Sequence, residues 1–186
     1  MVDLNTTDRY KAVSIALHWL VLFLMLAIYA SIEIHEMIPR GNPMRGAMED
    51  WHIYLGFLLL PIVVFRLVNT LRTTIPPISP TPVGWQPMAT KLMKVYLYLL
   101  MLGMPLLGWL YLSADGEAIS VWGIPLPAIA PQSEGLAEFF EEAHEILGLS
   151  GYLFIPGHAL AALYHHYFVK DNTLRRMLPG FMIKKS

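Results

Sequence analysis

Four long apolar runs, separated by short polar or proline-rich stretches, make up most of this chain. Val13 to Ile34, Ile53 to Val68, Val95 to Leu112 and Ile146 to Phe168 are each near the ~20 residues a helix needs to cross a bilayer. The second reaches full length only if Trp51, His52 and Thr70 are included. No repeat period or low-complexity tract is visible. The pattern predicts an all-α chain, an integral membrane four-helix bundle, with spans at approximately 13–34, 51–72, 91–112 and 143–168. These use up nearly all of residues 1–186, which leaves a single membrane domain and no room for a soluble catalytic one.

Local signals refine the boundaries. Thr6, Thr7 and Asp8 are placed to cap the first helix, which is expected to run through His18 and Trp19 to about Ile34. Its apolar run is too long for a cleavable signal peptide and contains a histidine. Pro39-Arg40-Gly41-Asn42-Pro43 is turn chemistry. The second helix is expected to start near Glu49-Asp50-Trp51-His52, with acidic residues at its N-terminus and a kink at Pro61. The prolines between Pro76 and Pro82 predict a stiff, non-helical connection. A third helix follows from about Met88 to Leu112, with Pro105 inside it. In the connection from Ser113 to Gly135, the stretch Ile119 to Pro125 is too apolar for a free linker; it is expected to lie on the membrane surface or cap the bundle. The fourth helix is expected from near Glu138 to Phe168.

Charge supports this picture and gives it a direction. The chain is 55% hydrophobic and 15% charged, where a soluble domain carries about a quarter charged residues. Arg9 and Lys11 precede the first span; Arg66, Arg72, Lys91 and Lys94 flank the second connection; Lys170, Arg175, Arg176, Lys184 and Lys185 follow the fourth span. The other side has only Arg40 and Arg45, and Ser113 to Glu145 contains no Lys or Arg. By the positive-inside rule both termini are expected in the cytoplasm. The net charge of -1 hides this separation, since Asp115, Glu117, Glu134, Glu138, Glu141, Glu142 and Glu145 all fall on the outer side. The basic residues read as inner-side anchors, so no nucleic-acid partner is expected. The absence of cysteine excludes disulfides, iron–sulfur clusters and thioether-linked haem.

The chemistry lies in the histidines. His18, His52, His144 and His158 each sit inside or at the edge of an apolar run, where an unpaired imidazole is expensive. His144 and His158 are fourteen residues apart, a separation of ~40° in direction and ~21 Å in height along a helix. Depth then pairs His52 with His144 on the outer side and His18 with His158 on the inner side. Two stacked bis-histidine pairs are what two haem b groups require, and iron ligated on both faces favours electron transfer over oxygen binding. Gly56, Gly148, Gly151, Gly157, Ala159, Ala161 and Ala162 offer small surfaces for a flat macrocycle. A zinc or copper site is the main competitor, and it needs three or four ligands at one depth.

The remaining candidates are weaker. His35 is expected to be solvated at the interface, and His166 to point away from the bundle. His165 lies seven residues beyond His158 on nearly the same face; it is a fallback ligand, better suited by depth to a quinone or haem-propionate contact. Arg66, Arg72 and Lys94 are placed to neutralise propionates, although topological anchoring is the simpler role. Trp19, Trp51, Trp109, Tyr111 and Tyr167 read as interfacial or packing aromatics, and the eleven methionines as gap-fillers.

Ala16-Leu17-His18-Trp19-Leu20, Trp51-His52, Ala143-His144-Glu145, Gly157-His158-Ala159 and the tail Tyr164 to Met177 together resemble the bacterial cytochrome b561 family over essentially the whole chain. The resemblance implies a four-helix, multi-pass protein of the bacterial inner (plasma) membrane. It implies two haem b groups held by those four histidines, and electron exchange between an outer-side donor and the quinone pool. Some members are superoxide:quinone oxidoreductases, and related cytochromes are membrane subunits of larger dehydrogenases. Relatives commonly carry a histidine on the third helix where this chain has Lys94 ahead of Tyr98-Leu99-Leu100. Steering superoxide needs positive charge near the outer haem, and the many outer carboxylates disfavour it, so an electron carrier ranks ahead of a superoxide oxidase.

Overall fold

The computed structural model describes residues 9–182. The apolar runs form α1 (Ala12–Met37), α2 (Pro43–Arg72), α3 (Gln86–Asp115) and α4 (Glu134–Tyr164), and α4 continues into a π-helical turn at His165–Val169. At 1.5 Å per residue, helices of 26 to 31 residues exceed the ~30 Å hydrocarbon thickness. All four are long and apolar enough to cross a membrane. Phe23, Leu26, Phe65, Leu99, Leu153 and Leu160 point outward and are exposed, as lipid-facing side chains should be. The interior is a narrow plug. Val21, Leu24, Met25 and Ile28 of α1 meet Leu59 and Val63 of α2 and Leu100 and Met101 of α3.

The helices associate unevenly. α1 packs along α2, α3 packs along α4, and α2 and α3 join the two halves, while the α4 backbone makes no comparable approach to α1 or α2. The bundle therefore has a slot between α4 and the α1–α2 pair. Its two ends also differ. One carries the start of α1, the end of α4 and the α2–α3 connection (the terminal end), and the other carries the α1–α2 and α3–α4 connections (the loop end).

Several boundaries differ from the sequence expectation for local reasons. α2 begins at Pro43, because the Asn42 side chain accepts from the Met44 amide at 3.0 Å and Pro43 suits the first helical turn. Glu49 and Asp50 therefore lie inside the helix and not at its start. Pro61 sits within α2 without ending it. α4 begins at Glu134, and α3 extends to Asp115, where Gly116 at φ 84° turns its amide back to the Leu112 and Ser113 carbonyls. The N-cap position of α1 is Lys11, which makes no side-chain cap bond; the caps expected at Thr6, Thr7 and Asp8 lie outside the described residues. Residues 73–85 contain no helix, as the prolines predict.

Two irregular pieces close the ends. At the loop end Ser120–Val121 pairs antiparallel with Ile124–Pro125 around Trp122 and Gly123, both at positive φ, the backbone a tight two-residue hairpin turn uses. Ile119 and Val121 are buried, the Trp122 ring lies 5.7 Å from that of Tyr54, and Trp109 donates to the Pro127 carbonyl at 3.0 Å. The apolar stretch thus caps the bundle. At the terminal end the chain after α4 forms a strap. Asn172 receives the Ser79 amide on its side chain at 2.9 Å, Arg176 donates to the Pro76 carbonyl, Trp19 donates to the Met177 carbonyl at 2.9 Å, and Arg9 donates to Leu178. Arg176 is only 6% exposed, so it locks the strap instead of anchoring a surface.

Candidate functional site

The four membrane histidines meet across the slot in two pairs. The rings of His52 and His144 have centroids 6.2 Å apart at the loop end, and those of His18 and His158 lie 6.4 Å apart at the terminal end. Two metal–imidazole bonds of about 2 Å, with roughly 1 Å more from nitrogen to ring centre on each side, set ring centres about 6 Å apart. Both pairs thus have the spacing of imidazoles on opposite faces of one metal ion. A cleft lies beside the terminal-end pair, lined by His18, His158, Met25, Leu97 and Tyr98 among others. Among the described residues no cluster of three or more His, Cys, Asp or Glu that could hold a metal ion is found; the histidines stand in twos.

Each pair is positioned differently. His52 donates its Nδ1–H to the Ile28 carbonyl at 3.1 Å, which leaves Nε2 as the lone-pair nitrogen and fixes the ring plane. The partner ring lies against α3: a Cβ at Gly108 would stand 3.3 Å from Cε1 and 3.5 Å from Nδ1 of His144. The buried Nδ1 of His144 makes no hydrogen bond of standard geometry, and the Met104 backbone on α3 is the hydrogen-bonding group beside the ring.

At the terminal end the cleft is apolar except for His18, His158, Arg66, Lys94 and Tyr98. Arg66 donates to Nδ1 of His18 at 2.9 Å, and its guanidinium lies 5.8 Å from the Tyr98 ring centre. Its side chain therefore turns into the bundle and is no surface anchor. Presenting Nε2 of His18 to a metal puts the proton on Nδ1, and Arg66 must then donate elsewhere. His165 does not line this cleft; its Nδ1 is 2.6 Å from the buried Asp171 carboxylate. Burial pushes the Asp171 carboxyl up, but hydrogen bonds from His165 and Thr173 outweigh it and hold the group below its usual value.

Between the two pairs stands Tyr29. Its hydroxyl crosses the slot to the Gly148 carbonyl at 2.9 Å, its ring meets that of Tyr152 at 4.8 Å, and a Cβ at Gly151 would fall on that hydroxyl. Gly151 is midway between His144 and His158. Beside two of the small residues expected to face a macrocycle, Met104 lies against Gly148 and Tyr29 against Gly151. His35, expected to be solvated, is largely enclosed in the α1–α2 corner, where Arg45 donates to its carbonyl and its Nδ1 lies 3.0 Å from the Arg45 carbonyl. Sequence reasoning missed Gly108 and the strap residues Asp171, Asn172 and Arg176; no periodicity marks a glycine that faces a ring on another helix.

Comparison with known proteins shows the family of the chain. The family model described as "Prokaryotic cytochrome b561" matches residues 9–180. The chain is 35% identical over 173 residues to "Cytochrome b561 homolog 1" of Escherichia coli (strain K12), covering 92% of this chain and 98% of that protein. It is 35% identical over 174 residues to "Probable superoxide oxidase CybB" of Yersinia pestis, at 92% and 96% coverage. A second Escherichia coli protein, "Cytochrome b561 homolog 2", is 32% identical over 178 residues, at 94% and 93% coverage. A four-helix membrane bundle with imidazoles at haem spacing and these relatives lead to one conclusion: the chain belongs to the prokaryotic cytochrome b561 family, the haem b-binding electron-transfer proteins of the bacterial membrane.

Proposed function

We propose that this protein carries electrons across the membrane through two haem b groups, one held by His52 and His144 and the other by His18 and His158. The observation that carries the reading is the pair of ring–ring distances, 6.2 and 6.4 Å, repeated ~21 Å apart along α4. When bound, the haems supply one-electron chemistry. His52 with His144 and His18 with His158 would hold the two groups, and the apolar side chains around them would exclude water. The concentration of basic residues at the terminal end supports a cytoplasmic position for it and for both termini, by the positive-inside rule. The loop end faces the outer donor. Electrons pass between that donor and the quinone pool; His165, whose Nδ1 is held by Asp171, keeps Nε2 for a quinone oxygen.

A dithionite-reduced minus oxidised spectrum of the purified protein, with haem quantified per chain, tests this. The expected result is a b-type α-band and two haems per chain; one haem or none rules out the two-pair reading.

A second reading, a superoxide:quinone oxidoreductase, is favoured by the printed name of the Yersinia pestis relative. Against it, the loop end has an open groove lined by Asp115, Glu134, Glu138 and Glu141, which repels a small anion. Quinone reduction by superoxide in detergent decides between them. A rate no greater than that of His52→Ala removes this second reading.

A further inference from the structure

We infer that Arg66 and Lys94 form a carboxylate clamp at the terminal-end site, which binds the propionate groups of the haem held by His18 and His158. The inference rests on the haem reading above and adds what recognises the cofactor's acidic edge.

The first argument is a charge without a counterion. Arg66 remains cationic at any pH the protein meets, and it lines an otherwise largely apolar cleft. No Asp or Glu lines that cleft, and among the described residues Arg66 forms no ion pair. Its contacts are neutral: the His18 ring nitrogen and the Tyr98 ring. A buried cation satisfied only by neutral groups is expensive, and an anion brought by a ligand removes that cost.

The second argument comes from His18. Ligation through Nε2 places the proton on Nδ1, so Nδ1 can no longer accept from Arg66. The released guanidinium needs an acceptor within the same cleft, and its planar fork matches a carboxylate with two parallel N–H···O bonds. Lys94 lines the other side of the cleft on α3 and is exposed; its flexible stem lets the ammonium follow a second carboxylate toward the membrane surface.

The third argument is register. Arg66 is fourteen residues beyond His52 on α2, so it shows nearly the same face ~21 Å deeper. On α4 the same step leads from one ligand, His144, to another, His158. On α2 it leads from a ligand to a cation, while His18 of α1 completes the second pair. The position on α2 is thus free to address the ring's edge in place of its metal.

The test uses the full-length protein in detergent, reconstituted either with haem b or with its dimethyl ester, whose propionates carry no charge. Release of each porphyrin to excess apomyoglobin is followed by absorbance. With haem b, Arg66→Met should speed the loss of one of the two haems about ten-fold, as expected for charge-assisted bonds, and leave the other unchanged. With the dimethyl ester, wild type and Arg66→Met should release at the same rate. Equal acceleration for both porphyrins, or none for either, would overturn the clamp, because Arg66 would then act through packing or through His18 alone. If Arg66→Met fails to fold, Lys94→Met at the exposed rim supplies the same comparison, with an acceleration confined to haem b expected. Wild-type protein that binds fewer than two haems overturns the two-pair reading and the clamp together, and so is distinct from a clamp failure in a two-haem protein.

Discussion

The loop-end and terminal-end pairs share one geometry but are held by different means. His52 is oriented by a backbone carbonyl, His144 rests against a glycine, and a hairpin from the adjoining connection closes that end. Nδ1 of His18 accepts from the Arg66 side chain, a bond that metal ligation through Nε2 would break, and the end above it is closed by a strap of residues that follow the last helix. The loop-end pair depends on shape and main chain; the terminal-end pair depends on side-chain charge. Two histidine pairs of the same spacing should therefore respond to different substitutions.

The largest expected effect breaks one pair at a time. His144→Ala should lower haem content from two per chain to one and spare the terminal-end site; His158→Ala should do the converse. Loss of both haems from either variant, in protein that still shows full helical content by circular dichroism, would mean the sites are not independent and the pairing is wrong.

Next comes the glycine beneath His144. A side chain larger than methyl at 108 meets a ring already 3.3 Å from a Cβ at that position. Gly108→Leu should displace the ring at a cost of about 1–3 kcal/mol. Measured by pyridine haemochrome, the loop-end haem should fall selectively; an unchanged haem content would show that α3 gives way and that shape does not set this site.

The partition between the pairs should respond more mildly and more evenly. Gly151→Ala forces Tyr29 away from the Gly148 carbonyl, at about 1–3 kcal/mol for overpacking and a lost hydrogen bond. The thermal midpoint should fall with both haems retained, and adding Tyr29→Leu should recover part of the loss. A double variant no better than Gly151→Ala would point to a cause other than the tyrosine.

The smallest effect concerns the strap. The Asp171 carboxyl is held below its usual value in the folded protein. Its contribution is therefore fully present above the unfolded carboxylate pKa near 4 and is lost as pH falls through the depressed folded value. Asp171→Asn should lower the thermal midpoint at neutral pH, and the gap to wild type should shrink below about pH 4. A gap constant over that range would show that hydrogen bonding, and not charge, holds the strap.

Where sequence succeeded and failed follows the range of the interactions. Helix number and approximate position were legible because each apolar run must itself satisfy the length of the bilayer and its own backbone hydrogen bonds. The depths of His18, His52, His144 and His158 followed from the same rise per residue. Helix starts were misjudged where a neighbour decided them: Asn42 with Pro43 began α2 before the acidic residues that looked like its start. Arg66 and Arg176 read as surface anchors because a basic residue near a span end usually is one, and only their folded surroundings show them turned inward.

The sequence by itself thus determined a membrane-spanning bundle of four helices and two levels of histidine, since both depend on local periodicity and on the apolar content of each run. Depth along the helices had already paired the rings; the tertiary structure decided that the pairs stand 6.2 and 6.4 Å apart, that Tyr29 fills the Gly151 notch, and that a distant tail closes the terminal end. Those outcomes depend on how α4 stands away from α1 and α2. Helix spacing is set by side chains meeting across the bundle, and no single segment encodes it.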